Sequence, residues 1–261
     1  KIYSAVDLFE TRNVVAKISG SDDKRKNEAV LYTAHWDHLG VGFAVDGDNI
    51  YNGAVDNASG TAGLLELANY FSKVESERSL LFLAVTAEES GLLGSQYFAE
   101  YPPIKLSNIV AGYNFDASLP VGKTKDVIVV GYGASELEDI LKTELDKVGR
   151  YIVPDPQPEK GFFYRSDHIS FSKKGVPMLY ADGGFDKIDG GKEAGRAFGD
   201  EYTAKYYHQP SDEYDPDWDL SGFADQLTLT TKMVKYLADS DRWPEWYEGN
   251  EFRSIREESR K

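Results

Sequence analysis

The chain has 261 residues, enough for one large α/β domain or two small ones. Asp and Glu outnumber Lys and Arg by 44 to 29, and the formal net charge of −15 argues against nucleic acid and anionic membranes as partners and favours a cationic ligand. Cysteine is absent, which excludes disulfides and thiol nucleophiles, and no apolar run approaches the roughly 20 residues of a membrane-spanning helix.

In chain order, apolar and β-branched segments typical of buried strands alternate with segments of helical periodicity. The predicted strands are 13–18, 29–34, 80–86, 109–115, 127–131 and 176–181. The predicted helices are 59–74, 91–101, 135–149 and 225–240. The Gly-rich, charged segment 185–208 is predicted to be a long loop, and the residues after Trp243 a surface helix or tail. This alternation predicts an α/β fold, a three-layer αβα sandwich around a doubly wound, mixed but mostly parallel sheet.

Polar side chains follow the predicted strands at the point where ligands bind in open α/β sheets, beyond the carboxyl ends. Those after the second, third and fourth strands are, in chain order, His35, Asp37, His38, Glu88, Glu89 and Asp116. Asp56 precedes a predicted helix, and Tyr207 and His208 follow the predicted loop. We therefore expect these side chains to converge at one edge of the sheet.

Two histidines and several carboxylates that meet at one edge are typical of a two-metal site. Two Zn²⁺ ions, three ligand carboxylates and one hydroxide form a neutral group when both imidazoles are neutral, which would let the adjacent acids Glu88 and Glu89 tolerate each other. Taken singly, paired acids also suit a solvated helix start, and Asp56 and Asp116 suit turns. Their joint occurrence at successive strand ends favours the metal site.

Six motifs carry a resemblance to a known family. In chain order they are AHWDHLG, NGAVDNASGTAGLLELA, AEESGLLGSQYF, GYNFDA, RSDHISFSKKGVPMLYAD and YYHQPSDEYD. Together they resemble the co-catalytic di-zinc aminopeptidases, a family that also includes glutamate carboxypeptidase-like enzymes and glutaminyl cyclases. The motifs run in family order from Ala34 to Asp215, so the resemblance covers most of the chain. It implies the zinc-peptidase (phosphorylase/hydrolase-like) version of the αβα fold, in a single catalytic domain over residues 1–261.

The resemblance also implies the metal ligands. His35 and Asp116 would bind one zinc, Glu89 and His208 would bind the other, and Asp56 would bridge the two. The peptide bond after Asp56 is often cis in this family. The cofactor expectation is therefore two Zn²⁺ per chain.

The remaining site residues are implied in the same way. Glu88 would be the general base, and Asp37 would accept the imidazole N–H of His35 and fix its tautomer. Tyr207 would donate to the developing oxyanion, although a packed aromatic suits the sequence equally. Arg165 would contact a substrate carbonyl or carboxylate, with an exposed salt bridge as the alternative. His38 and His168 are interpreted as structural.

The implied activity is removal of the N-terminal residue from peptides with a free amino terminus. The alternatives are a carboxypeptidase, dipeptidase or one-zinc glutaminyl cyclase of the same family, or a catalytically silent metal-binding module. The segment DNASG after the bridging acid favours the aminopeptidases, and the complete set of ligands disfavours the cyclase and the silent module. Calcium binding by the acidic segments 46–49 or 211–219 is less favoured, since neither follows the EF-hand pattern.

Bacterial relatives imply two further expectations. The protein would be exported to the periplasm or the medium, although this chain carries no signal peptide. A protease-associated domain would have preceded residue Lys1. The sequence makes no prediction of oligomeric state.

Overall fold

The computed structural model describes residues 8–261, and the first seven residues of the predicted 1–261 domain lie outside the described part. Seven strands form the main sheet: β1 (Val14–Ile18), β2 (Ala29–His35), β5 (Ser79–Val85), β6 (Ile109–Phe115), β7 (Asp126–Val130), β8 (Tyr151–Pro154) and β9 (Met178–Gly183). A separate hairpin consists of β3 (Gly40–Val45) and β4 (Asp48–Tyr51).

The spatial order of the main sheet is β1-β5-β2-β6-β9-β7-β8. The four central strands β5, β2, β6 and β9 are parallel, whereas β1 runs antiparallel to β5 and β7 antiparallel to β9. At the far edge, β8 is parallel to β7. The predicted mixed, mostly parallel sheet is confirmed.

Helices cover both faces of this sheet. They are α1 (Gly60–Phe71), α2 (Leu93–Glu100), α3 (Leu137–Asp146), α4 (His168–Ser172), α5 (Gly191–Lys205), α6 (Ser221–Asp239) and α7 (Arg253–Ser259). One core cluster contains apolar side chains of α1, α3 and α6, and a second contains Phe98 of α2 and Phe171 of α4. The sheet lies between the two clusters, which confirms the three-layer αβα sandwich.

The central strands are buried on both faces because helices cover each side. Every residue of β2 and β6 is buried. Along β2, Val30 and Tyr32 enter the first core cluster, while Ala29 and Leu31 enter the second. A strand that is apolar at every position is therefore recognisable from the sequence, and its carboxyl end emerges at the edge where ligands bind.

The prediction of a long loop over 185–208 is wrong, because most of this segment is helix α5. Gly195 and Gly199 are spaced one helical turn apart and face Phe185. A Cβ at Gly195 would lie 2.0 Å from the Phe185 carbonyl oxygen, and one at Gly199 would lie 2.8 Å from its ring. These glycines therefore allow close helix packing, whereas their density in the sequence indicates a loop.

The segment after Trp243 is more buried than the predicted surface helix or tail. Trp246 is fully buried, and Arg256 of α7 donates to the carbonyl oxygens of Ile109 and Val110 in β6. The C-terminal segment thus fastens the start of a central strand. Within residues 8–261, none of the helices combines the length and hydrophobicity that crossing a bilayer requires.

Candidate metal centre

The register of the central strands brings the predicted polar residues together. His35 ends β2 and is paired in register with Val85 of β5, and the preceding residue Ala34 is paired with Phe115 of β6. The segments that leave β5 and β6 carry the acidic residues, Glu88 and Glu89 on one side and Asp116 on the other. His35 therefore lies between two acidic strand ends.

One half of the centre consists of His35, Asp56 and Asp116. The Nε2 atom of His35 lies 3.2 Å from Oδ1 of Asp56 and 3.3 Å from Oδ1 of Asp116. All three side chains are largely or fully buried. One donor atom from each lies within 4.8 Å of the others, the spacing that a single bound metal ion requires.

The other half consists of His208, Glu89 and the second oxygen of Asp56. Nε2 of His208 lies 3.2 Å from Oδ2 of Asp56 and 3.3 Å from Oε2 of Glu89. His38 also reaches this half, with Nδ1 2.8 Å from Oε1 of Glu89. His38, Asp56 and Glu89 form a second group whose donor atoms lie within 4.8 Å of one another. The interpretation of His38 as merely structural overlooked this contact.

The charges of the centre fit divalent cations. Within residues 8–261, the ion pairs of Asp56, Glu89 and Asp116 are all with histidines rather than with Lys or Arg. Hydrogen bonds to Asp56 and Glu89 raise the pKa of His208 to about 10, and the pKa of Asp56 is lowered despite its burial. The carboxylates thus favour positive charge at this place, which two metal ions would supply.

Glu88 differs from its neighbour Glu89. It belongs to neither group of possible ligands in the described part of the chain. Burial, reinforced by the negative charge of Asp116, raises the pKa of Glu88 to about 9. A nearby metal cation would lower this pKa and restore the carboxylate, which is the form a general base requires.

Asp37 holds the turn that carries both glutamates. Its Oδ1 accepts a hydrogen bond from the Glu88 amide at 3.1 Å, and its Oδ2 accepts one from the Glu89 amide at 3.3 Å. The expected contact between the Asp37 carboxylate and His35 is long, with Nδ1 of His35 3.8 Å from Oδ1. The backbone oxygen of Asp37 makes the closer contact, 3.1 Å from the same Nδ1. Asp37 therefore orients His35 through its backbone and the glutamates through its side chain.

Asp212 fastens the loop that carries Asp56. This side chain is buried, and its oxygens accept hydrogen bonds from the amides of Val55 at 3.0 Å and Asp56 at 3.1 Å. The Tyr202 hydroxyl donates to the same carboxylate at 3.3 Å. Because Asp212 follows His208 by four residues, it ties the loop of one ligand to the segment of another.

Asn57 connects the same loop to the end of β6. The peptide bond between Asp56 and Asn57 is cis, in agreement with the resemblance. The Asn57 side chain donates to the carbonyl oxygen of Phe115 at 3.0 Å and accepts from the amide of Ala117 at 3.2 Å. These two partners flank Asp116, so a single amide side chain sets the separation of Asp56 and Asp116.

Ser166 orients the carboxylate of Asp116. Its hydroxyl donates to Oδ2 of Asp116 at 2.5 Å, which leaves Oδ1 directed at His35. The Asn114 amide in turn donates to the Ser166 hydroxyl at 2.7 Å. Such contacts behind a ligand fix the direction of its lone pairs.

The backbone around the centre is strained. Among residues 8–261, five non-glycine residues have positive φ, and three of them, Ala87, Ala117 and His208, are ligands or neighbours of the acidic residues. L-residues with a Cβ adopt this conformation only when surrounding contacts enforce it, and such residues cluster at functional sites. The surrounding hydrogen bonds therefore hold the acidic side chains where the backbone alone would not.

Tyr207 contacts a proposed ligand, whereas Arg165 is exposed to solvent. The ring of Tyr207 stacks on His208, with ring centroids 3.9 Å apart, and burial followed by the charge of Asp56 raises the pKa of Tyr207 to about 12. Tyr207 thus keeps its proton at neutral pH. The Arg165 guanidinium is exposed and lies 5.6 Å from the centre of the Phe162 ring.

The structure brings all five predicted ligands into one cluster, with Glu88 and Asp37 beside it. His38, Asn57, Asp212 and Ser166 contact this cluster without having been predicted as site residues. The spacing of the two histidines in HWDH was a usable signal for His38. The other three act through contacts between residues distant in sequence, which local patterns do not reveal.

Known proteins are similar to this chain in sequence. A family model described as peptidase family M28 matches residues 13–231. Leucine aminopeptidase 2 of Arthroderma otae is 28% identical over 228 residues, which are 81% of this chain and 42% of that protein. Leucine aminopeptidase 2 of Trichophyton equinum is 29% identical over 187 residues, 67% of this chain and 34% of that protein. A vacuolar membrane protease of Schizosaccharomyces japonicus is 31% identical over 115 residues, 44% of this chain and 12% of that protein.

Solved structures share the fold. An aminopeptidase from Aneurinibacillus sp. strain AM-1 superposes with a TM-score of 0.64 at 21% identity, over 88% of this chain and 49% of that one. A zinc aminopeptidase from Bacillus subtilis gives a TM-score of 0.60 at 19% identity, over 88% of this chain and 51% of that one. The chain thus spans about a third to two fifths of the leucine aminopeptidases it matches and about half of these structures.

Proposed function

This chain belongs to peptidase family M28, and from that premise we propose that it is a zinc-dependent aminopeptidase acting on peptides with a free amino terminus. The observation that carries the proposal is the position of Asp56, whose two oxygens each lie 3.2 Å from a different histidine. A carboxylate in this position suits a bridge between two metal ions. Relatives named leucine aminopeptidase and a neighbour described as a zinc aminopeptidase support the same activity.

We assign the ligands according to the two halves of the centre. His35 and Asp116 would hold one zinc, Glu89 and His208 the other, and Asp56 both. When bound, the zinc ions supply Lewis acidity, which lowers the pKa of a coordinated water toward about 7 and polarises the scissile carbonyl. The proximity of His38 to Glu89 gives the second half an additional group that orients its carboxylate.

Glu88 is proposed to move the proton. Its carboxylate accepts a proton from the attacking water and then delivers it to the nitrogen of the leaving peptide, so the same residue serves as base and acid. Hydrogen bonds from the Glu88 and Glu89 amides to Asp37 keep the base next to a ligand and fix the geometry of both. The proton path is therefore set by a turn that the Asp37 carboxylate stabilises.

The substrate would be oriented by the acidic walls and the rim. The protonated α-amine of the peptide favours the carboxylate side of the centre, in keeping with the acidic composition of the chain. The neutral hydroxyl of Tyr207 is placed beside His208 and is proposed to donate to the oxyanion as it develops. Arg165 at the rim would contact a carbonyl or carboxylate further along the peptide.

Residues 8–261 are proposed to act as one catalytic unit. A single sheet contains His35, and the other proposed ligands lie on segments that connect elements packed on this sheet. Export remains a prediction from the resemblance. One relative is named vacuolar membrane protease, a name that refers to the vacuole and not to export.

The test is a panel of aminoacyl chromogenic substrates, assayed beside the same compounds with blocked amines while zinc is quantified in the same sample. The proposal predicts turnover only when the amine is free, with two zinc ions per active chain. Cleavage of blocked substrates, or release of a C-terminal residue, would show that another peptidase activity operates here. Cyclisation of an N-terminal glutamine at one zinc per chain would identify a cyclase instead.

A further inference from the structure

A concave site lies between the Asp56 loop, helix α5 and the segment 211–218. Its cavity measures about 490 Å³. Val55 and Asp212 form the wall nearest the metal centre, and none of the five proposed ligands lines the cavity. The cavity is therefore separate from the position where the peptide bond would be cleaved.

Five aromatic side chains line this cavity: Phe198, Tyr202, Tyr206, Tyr214 and Trp218. Tyr214 and Trp218 meet edge to face, with ring centroids 5.5 Å apart and planes inclined at 79°. Tyr202 in α5 and Tyr206, the first residue after it, have nearly parallel rings with centroids 6.4 Å apart. The cavity thus has aromatic walls on two independent elements, α5 and the segment that follows His208.

The same cavity is rimmed by negative charge. Glu201, Asp212, Glu213 and Asp215 line it, and the described lining residues include no Lys, Arg or His. Lys205 forms an ion pair with Glu201 at 2.7 Å. In the described part of the chain, the hydrogen-bond partner of the Glu213 carboxylate is neutral, the side-chain amide of Asn52 at 3.2 Å. Aromatic faces and carboxylates both attract positive charge, so the electrostatic potentials of wall and rim add.

We propose that this aromatic cavity binds an organic cation, an alkylammonium group small enough to enter it and contact the rings of Tyr214 and Trp218. A metal ion is a poor occupant because aromatic rings are not its ligands and the Asp212 carboxylate already accepts from two backbone amides and the Tyr202 hydroxyl. A neutral apolar ligand would leave the carboxylates of the rim without a counter-charge. An alkylammonium ion suits both the aromatic rings and the carboxylates, since its methyl groups contact the rings and its charge faces the carboxylates.

The experiment compares choline with 3,3-dimethyl-1-butanol, which has nearly the same shape without the charge. Binding to the zinc-loaded protein is measured by isothermal titration calorimetry and by saturation transfer to the methyl protons. We expect choline to bind at least about tenfold more tightly than the neutral alcohol, the factor that a desolvated cation–aromatic contact provides. Equal binding of both compounds, or binding of neither, would overturn the proposal.

Variants locate the site. Trp218→Ala removes an aromatic wall, and Glu213→Gln removes a charge from an exposed position where misfolding is not a concern. Each is expected to weaken choline binding at least about fivefold. Tyr97→Ala changes an exposed aromatic residue of α2 outside the lining and should leave the affinity unchanged. If choline binds as tightly to both Trp218→Ala and Glu213→Gln as to the parent, it occupies another site and the proposal fails, whatever the peptidase assay shows.

Discussion

At the scale of single residues, the two oxygens of Asp56 face His35 and His208, each at 3.2 Å, while neighbouring side chains fix its position. Asp212 holds the amides of the Asp56 loop, and Asn57 ties the loop to the residues flanking Asp116. These hydrogen bonds thus hold the proposed bridge in position. Preorganisation of this kind lowers the cost of assembling a metal site.

Replacing Glu88 and Glu89 by Gln should separate the two roles. Glu88→Gln removes the proton acceptor and is expected to lower kcat by about 10²–10⁴-fold while the zinc content stays unchanged. Glu89→Gln replaces a proposed ligand, so it should lower zinc occupancy first and activity as a consequence. The measurement is kcat together with metal content in the same preparation. Near-full turnover by zinc-loaded Glu88→Gln would contradict the assignment of the base.

Replacing Asp212 by Asn tests the positioning of Asp56. The asparagine retains one acceptor oxygen and loses the charge, so the amides of Val55 and Asp56 are held less firmly. We expect zinc release to a chelator to accelerate at least about tenfold. Asp217→Asn alters an exposed acid of the same segment and should release zinc at the parent rate. Equal rates in the two variants would show that Asp212 does not position the bridge.

His168 should make stability depend on pH. It is fully buried between Phe163 and Tyr180, and burial lowers its pKa to about 3. Below its ordinary pKa the unfolded chain binds a proton that the folded chain refuses, so stability is lost as the pH falls below about 6.5. Relative to His168→Leu, the parent should lose about 2 kcal/mol more between pH 7 and pH 5, measured by denaturant unfolding.

The other ionisable groups are the same in both proteins, so their contribution cancels in this comparison. Parallel stability curves for the parent and His168→Leu would mean that His168 is accommodated as a cation, against the lowered pKa.

At the scale of elements, helix α5 links the sheet to the second half of the centre. It begins after the turn at Phe185, presents Tyr202 to Asp212 and leads directly to Tyr207 and His208. Its position depends on the close approach of Gly195 to the Phe185 backbone. A shift of this helix would move the segment that carries His208.

Gly195→Ala tests this packing. The intrinsic preference of helices for Ala over Gly would stabilise α5 by up to about 1 kcal/mol. The added Cβ would meet the Phe185 carbonyl oxygen, and we expect a net loss of about 1–3 kcal/mol in the free energy of unfolding. Gly183→Ala, where nothing lies within 4 Å of the new Cβ, should be neutral or slightly stabilising. A stabilised Gly195→Ala protein would contradict the observed packing of α5.

The central strands could be predicted from the sequence because strands buried on both faces consist mostly of apolar residues. The predicted strand 109–115 coincides with β6, and 29–34 and 80–86 differ from β2 and β5 by a single residue at their ends. Hairpin β3–β4 was not predicted, because both of its strands are largely exposed and lack the apolar runs of buried strands. The strand ends yielded three of the proposed ligands, His35, Glu89 and Asp116. Asp212 and Asn57 form hydrogen bonds across long sequence separations, which a local sequence pattern does not encode.

At the scale of the whole molecule, the formal net charge is −15, and carboxylates gather at two neighbouring places. The metal centre and the aromatic cavity lie on opposite sides of the Asp56 loop, and Asp212 faces the cavity while holding that loop. Each place gathers carboxylates that a cation would neutralise. One sheet with helices on both faces supports this arrangement, so the chemistry resides in loops on a rigid frame.

The central claim is that Asp56 bridges two zinc ions, and the most direct measurement is an anomalous difference map at the zinc absorption edge from crystals of the zinc-loaded protein. The account predicts two peaks about 3.5–4 Å apart, one beside His35 and Asp116 and the other beside Glu89 and His208, with an oxygen of Asp56 directed at each. A single peak, or two peaks elsewhere on the molecule, would contradict it.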